Sequence, residues 1–173
     1  RVLFRSGMVP KDKVKEHCLN YEKQIEDAGG LDLQILGIGV NGHIGFNEPG
    51  SGIYTKTRLI TLDNSTRLAN SYEFGNMSQV PRMAITMGIS TILKSKKIIL
   101  MAWGQAKAAV VKKAVEGDDT EEVPASLLQN HDDCTFVIDE TGASMMLLPQ
   151  NQRKQQIDVA ERRHLAAAES AGR

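Results

Sequence analysis

Along this chain, short apolar runs alternate with segments whose apolar positions recur every three or four residues. In residues 10–30, Val14, Cys18, Tyr21 and Ile25 fall at helical steps behind Pro10 and ahead of Gly29 and Gly30. That pattern predicts a helix with a proline start and a glycine stop. Residues 31–39 (LDLQILGIG) are strongly apolar and closed by glycine, which predicts a buried strand rather than a helix face. Residues 41–57 carry Gly42, Gly45, Pro49, Gly50 and Gly52 and predict a long loop. Loops of that length more often carry function than merely connect elements.

Further along, residues 58–63 (RLITLD) alternate as a strand does, and 64–71 predict a short helix. Residues 81–94 open on a proline and place Ala84, Ile85, Met87, Gly88 and Ile92 at helical spacing, so they predict a helix. Residues 97–104 (KIILMAWG) and 134–139 (CTFVID) predict two more buried strands, separated by a helix over 105–116 and a helical turn over 124–130. Apolar strands alternating with helices predict an α/β fold: a parallel sheet with helices on both faces. The folded domain is expected over 7–148. Residues 1–6 (RVLFRS) match one reading frame of a common sequencing adapter and are read as a non-native leader. Residues 149–173 are polar, with only a thin stripe of Ile157, Ala160 and Leu165, and are expected to form a tail of unassigned origin.

Composition narrows the function. The chain has 173 residues, and 21 basic side chains balance 21 acidic ones. No global field is available to hold a polyanion, which argues against a nucleic-acid partner; any phosphate would be held locally. No run of 18 apolar residues exists and no signal-peptide pattern opens the chain, so no membrane association is expected. Cys18 and Cys134 form no CxxC pair and are expected as two thiols in a reducing, cytoplasmic setting.

The chemistry concentrates in residues 37–50, GIGVNGHIGFNEPG. Gly37, Gly39 and Gly42 spell GxGxxG after a strand, with Asp63 at the end of the next. A dinucleotide site also needs a helix starting at the third glycine, and Gly45, Pro49, Gly50 and Gly52 forbid one there, so no nicotinamide cofactor is expected. What remains is a glycine-bracketed loop past the carboxyl end of a parallel strand, where open α/β sheets bind ligands. It presents Asn41, His43, Asn47 and Glu48 within eight residues. Histidine titrates near neutrality and suits proton transfer on sugar oxygens; Glu48 can fix its tautomer and raise its pKa, whereas Asn41 can only hydrogen-bond. A loop histidine can equally be an ordinary surface or core-polar residue. A zinc site is not expected, because no third His or Cys ligand stands nearby.

The string GIGVNGHIGFNEPG resembles the signature of the glucosamine-6-phosphate deaminase family. The similarity continues through TKTRLITLDNSTRLANS, QVPRMAITMGISTIL, KIILMAWGQAKA, AVEG and VPASLLQNH to VIDE, roughly residues 7–144. The resemblance implies a Rossmann-like parallel sheet and no redox or metal cofactor. It also implies conversion of a 2-amino-2-deoxy-aldose 6-phosphate into a ketose 6-phosphate and ammonia. By position, His43 resembles the residue that opens the pyranose ring, Glu48 its partner, and Asn41 a position where many members carry Asp. Lys107, in GQAKA, matches a substrate-phosphate contact, and Gly42 is expected beside the substrate. Tyr72 stands where some members have a phosphate-binding Arg. Arg58 and Ser51 fall near a regulatory sugar-phosphate site, but Ile60 replaces a basic residue of that patch, so no allostery is expected. The family's N-terminal third should supply a phosphate loop and an Asp that moves a proton between C2 and C1. Neither precedes Gly37, so the sheet is expected to lack its first strands and this chain to be inactive alone. The partner implied is a small amino-sugar 6-phosphate, and the intact protein could form a homo-oligomer. Alternative readings are a galactosamine-6-phosphate deaminase, a 6-phosphogluconolactonase-like hydrolase, and a non-catalytic sugar-phosphate-binding domain.

Overall fold

The computed structural model describes residues 9–147; residues 1–6 and 149–173, read above as leader and tail, lie outside them. A 3-10 turn at Lys11–Lys13 leads into helix α1 (Val14–Asp27), which ends where Gly29 and Gly30 adopt positive φ. Strand β1 (Gln34–Gly37) follows and pairs in parallel with β4 (Ile98–Ala102), Gln34 opposite Ile98 and Gly37 opposite Met101. Strand β5 (Cys134–Ile138) pairs in parallel on the far side of β4, giving the order β1-β4-β5. The expected α/β class with a parallel sheet is therefore found.

Alternate positions of these strands turn to opposite faces. Leu36, Ile98, Leu100, Ala102, Phe136 and Ile138 are buried in one cluster with Ile89 and Ile92 of α3 (Ile89–Leu93) and with Val110, Val111 and Ala114 of α4 (Ala108–Glu116). On the alternate positions, Ile35 and Met101 remain exposed in the described residues. Burying one such aliphatic side chain contributes about 1.5–3 kcal/mol, so this cluster is what holds the sheet to its helices.

One expected strand is found away from the parallel sheet, and one expected helix needs correction. Residues 58–63 do form a strand, β2 (Arg58–Thr61), but it stands outside the parallel sheet, in an antiparallel pair with β3 (Met83–Thr86). Residues 81–94 are accordingly not one helix but β3 followed by the short α3. Gly88 makes the break: a Cβ there would sit 2.1 Å from the carbonyl oxygen of Thr55, so the chain passes too close to its neighbour for a helical side chain. Ala84, Ile85 and Met87 satisfied helical spacing only because so short a run cannot separate a helix face from a half-buried strand. Helix α2 (Asn64–Ala69) follows β2, and a 3-10 segment at Pro124–Asn130 packs beside α4, both near their expected places. Among the described residues no helix is long and apolar enough to cross a membrane, and Cys18 and Cys134 are free thiols.

Candidate active site

The loop after β1 is built as a brace for its own polar residues. Ile44, fully buried, bridges back to Ile38 and forward to Asn47. Asn47 is also fully buried, and its amide donates to the carbonyls of Ile44 (3.0 Å) and Met87 (2.8 Å). Its own oxygen accepts from Arg58 at 2.8 Å, while the same guanidinium donates to Ser51 Oγ at 3.1 Å. Asn47 is thus a staple, with every strong hydrogen-bonding group of the amide oriented by protein. No helix starts at Gly42: the next one, α2, begins at Asn64. Asp63, the acidic residue of that pattern, instead caps α2 by accepting from the backbone N–H of Ser65 at 2.7 Å.

With the loop so fixed, Asn41, His43 and Glu48 come together. Asn41 Oδ1 lies 2.8 Å from His43 Nδ1, Glu48 Oε2 lies 3.3 Å from the same nitrogen, and Asn41 Nδ2 donates to Glu48 Oε2 at 2.8 Å. Thr66 Oγ1 donates to Glu48 Oε1 at 2.6 Å and stands 3.4 Å from His43 Nδ1. Nδ1 therefore faces only oxygens, and in the neutral imidazole the proton belongs on it. Among the described residues no protein group hydrogen-bonds Nε2, which is left with a free lone pair. The ring rests against Gly39, where an added Cβ would lie 2.2–2.5 Å from its atoms. His43 is the side chain whose charge the site controls: burial holds its pKa below the ordinary histidine value, Glu48 acts to raise it and Lys107 to lower it. The expected upward pull of Glu48 is present, but desolvation outweighs it.

His43 lines a cleft of about 340 Å³ with Gly37, Gly39, Ser65, Thr66, Asn70 and Lys107 among its walls. Lys107 closes a 3-10 turn, Gln105–Lys107, that follows β4 through Gly104 at φ +86°. The Asp139 carboxylate accepts from the Gly104 N–H at 2.9 Å and sets the start of that turn. The Lys107 ammonium donates to the carbonyl of Ile38 at 2.8 Å, and burial lowers its pKa. Within the described residues it is the cation of the cleft wall, and no Asp or Glu shares that wall.

The structure thus brings Asn41, His43, Glu48 and Lys107 to one place. Gly42 is not in the cleft wall. It turns the loop at φ +90°, packs where a Cβ would meet Val123 at 2.8 Å, and accepts from the Ala125 N–H at 2.9 Å. Tyr72 is 94% exposed and takes no part in the wall, and Arg58 is engaged by Asn47 and Ser51. Sequence reasoning missed Thr66, Gly39 and the α2 wall. The run Asp63–Asn64–Ser65–Thr66 directly after a strand did carry a signal, a helix cap, but a cap does not announce which way the helix faces. Among the described residues no group of three or more His, Cys, Asp or Glu could hold a metal ion.

Residues 5–137 match the model of the family described as glucosamine-6-phosphate isomerases/6-phosphogluconolactonase. The chain is 50% identical over 135 residues to the glucosamine-6-phosphate deaminase of Thermoanaerobacter sp. (strain X514), covering 78% of this chain and 53% of that protein. It is 50% identical over 137 residues to the glucosamine-6-phosphate deaminase of Clostridium botulinum (strain Kyoto / Type A2), covering 79% and 56%. Among solved structures, a monomeric glucosamine-6-phosphate deaminase superposes with a TM-score of 0.75 at 46% identity, covering 78% of this chain and 56% of that one. The 6-phosphogluconolactonase from Trypanosoma cruzi shares the fold at 22% identity and a TM-score of 0.60, covering 83% and 55%. The chain spans just over half the length of these relatives. With the family model matched over most of its length and half of the aligned residues shared with relatives, the chain belongs to the glucosamine-6-phosphate isomerase/6-phosphogluconolactonase family.

Proposed function

We propose that this chain carries the ring-opening centre of a deaminase that converts glucosamine 6-phosphate and water into fructose 6-phosphate and ammonia, a C–N hydrolysis coupled to isomerisation. The observation that carries this reading is the free Nε2 of a neutral His43, in a cleft that also holds the Lys107 ammonium. In the closed sugar, Nε2 takes the proton of the C1 hydroxyl. The C1–O5 bond breaks as the C1 carbonyl forms, and the same proton passes to O5. Asn41 and Glu48 steady the imidazolium that exists between the two transfers, and Lys107 takes the 6-phosphate. Proton transfer between C2 and C1 needs a further base, which no carboxylate of the described cleft wall supplies. The close relatives favour the deaminase over the lactonase reading, because the lactonase likeness at 22% identity speaks for the fold alone. The same proposal places the protein in a reducing cytoplasm, with both thiols free.

Ring opening is testable apart from deamination. Exchange of the two anomers of glucosamine 6-phosphate, followed by magnetisation-transfer NMR, is expected to accelerate in the presence of the chain and to return to the buffer rate with His43→Gln. Anomer exchange at the buffer rate, with no movement of the His43 or Lys107 resonances on adding the sugar phosphate, would overturn the reading.

A further inference from the structure

Thr66 lies outside the glycine-rich loop, on α2, yet its hydroxyl ends on the loop's carboxylate. The side chain is 2% exposed, and Oγ1 donates to Glu48 Oε1 at 2.6 Å. A buried helical threonine commonly returns its proton to a carbonyl of the preceding turn; this one gives it to a carboxylate instead. Its place is set from both ends of the helix. Asp63 accepts from the N–H and hydroxyl of Ser65, and the Asn70 amide donates to the carbonyl of Thr66 at 2.8 Å. Glu48 is consequently held at both oxygens, Oε1 by Thr66 and Oε2 by Asn41 Nδ2.

We propose that Thr66 is a positioning residue for the acid–base group: it fixes the Glu48 carboxylate, which fixes the Asn41 amide, which fixes the Nδ1–H tautomer of His43. The inference rests on the ring-opening role given to His43 for its functional meaning, though not for its geometry. The chain of dependence follows from donor and acceptor chemistry. If the Asn41 amide turned over, its oxygen would face the Glu48 carboxylate and its NH₂ would face the Nδ1–H and the backbone N–H of His43, three repulsive contacts in place of three attractive ones. The carboxylate's share of that penalty exists only while the carboxylate stays where it is; the His43 N–H, which donates to Asn41 Oδ1 at 3.3 Å, supplies a smaller share of its own. With Oε1 released, the carboxylate turns toward water, the amide loses the charge that orients it, and the imidazole proton is free to move to Nε2. A histidine protonated at Nε2 cannot accept the proton of a sugar hydroxyl there.

The test is the tautomer of His43, read from long-range ¹H–¹⁵N spectra of the ¹⁵N-labelled chain above the pH at which the imidazole titrates. The chain itself and Thr66→Ser are expected to show the Nδ1–H form. Thr66→Val, which keeps the shape and removes the hydroxyl, is expected to raise the ratio of Nε2–H to Nδ1–H by about tenfold, as loss of a hydrogen bond to a charged group implies. Adding Thr66→Val to Glu48→Gln is expected to change the ratio no further than Glu48→Gln does. A Thr66→Val chain that keeps the Nδ1–H form, a Thr66→Ser chain that loses it, or full additivity in the double variant overturns the proposal. Should Thr66→Val not fold, Thr66→Ala gives the same reading against the same standards. None of these spectra involves a substrate, so an absence of anomer exchange would count against the ring-opening reading and leave this one standing.

Discussion

The side-chain oxygen of Asn41 stands 2.8 Å from Nδ1 of His43, nearer than the 3.3 Å that separates that nitrogen from Oε2 of Glu48. The imidazole's immediate partner is therefore a neutral amide, and the carboxylate behind it acts on the ring both by orienting that amide and by its own charge. Replacing the amide by an anion should change the charge of the ring rather than its orientation. Asn41→Asp is expected to raise the His43 titration midpoint, followed through the Cε1–H resonance, because an acceptor dipole becomes a full charge at contact distance. A midpoint that stays put or falls would show that the position 41 side chain does not govern the ring.

Glu48 and Lys107 act on the same imidazole with opposite signs. Glu48→Gln should move the His43 midpoint further down, and Lys107→Met should move it up, in the same NMR titration. The sign carries over to stability. Burial lowers the pKa of His43 from 6.5, so between the folded and unfolded midpoints the unfolded chain binds more protons. Stability contributed by the neutral ring is present above the unfolded midpoint and is lost as pH falls from there through the depressed one. In urea unfolding across that window, His43→Gln should flatten the acid-side loss, Glu48→Gln should steepen it and Lys107→Met should lessen it. A loss unchanged by His43→Gln would place its origin in other groups.

How much of this was legible beforehand varies with the physical signal. The three buried parallel strands announced themselves as apolar runs closed by glycine or acid, and β1, β4 and β5 fall inside them. The His43 loop was legible because glycines and a proline exclude helix from it. Residues 81–94 misled, since the decisive fact is the approach of Gly88 to the Thr55 carbonyl, a contact between segments far apart in the chain. Thr66 was hidden for the same reason: 18 residues separate it from Glu48, and only the fold brings them together. Asn47 looked like a site residue by its company in the loop, and its neighbours in space make it a staple.

Gly39 offers a test of the site's packing that leaves the hydrogen-bonding residues untouched. A methyl group there would overlap the His43 ring at 2.2–2.5 Å, too close for any adjustment but displacement of the imidazole. Gly39→Ala is expected to abolish the acceleration of anomer exchange while circular dichroism stays that of the parent chain. The Nδ1–H resonance of His43 should also shift or broaden. Unaltered exchange in this variant would mean that the ring does not need its present seat.

The loop's rigidity should reside in Asn47 more than in any other of its polar residues. Its amide donates to the Ile44 and Met87 carbonyls and accepts from Arg58, all in full burial. Asn47→Ala removes one donor from each of two carbonyls and the acceptor from part of a guanidinium; the Ile44 carbonyl keeps the residue 47 backbone N–H at 3.0 Å and the Met87 carbonyl the Thr86 hydroxyl at 3.3 Å. The expected cost is about 1–3 kcal/mol in urea unfolding, the range for buried groups that lose a hydrogen-bond partner. Asn47→Asp separates hydrogen bonding from size. A carboxylate keeps the acceptor for Arg58 but turns an oxygen toward two carbonyl oxygens, so its loss at neutral pH should match or exceed that of the alanine variant. On acidification the carboxyl group of the Asn47→Asp chain takes up a proton and regains one donor, and the gap between the Asp and Ala variants should narrow. If Asn47→Asp instead matched the parent chain at neutral pH, the staple would owe its strength to the Arg58 contact alone, and the residue 47 N–H and the Thr86 hydroxyl would suffice for the two carbonyls.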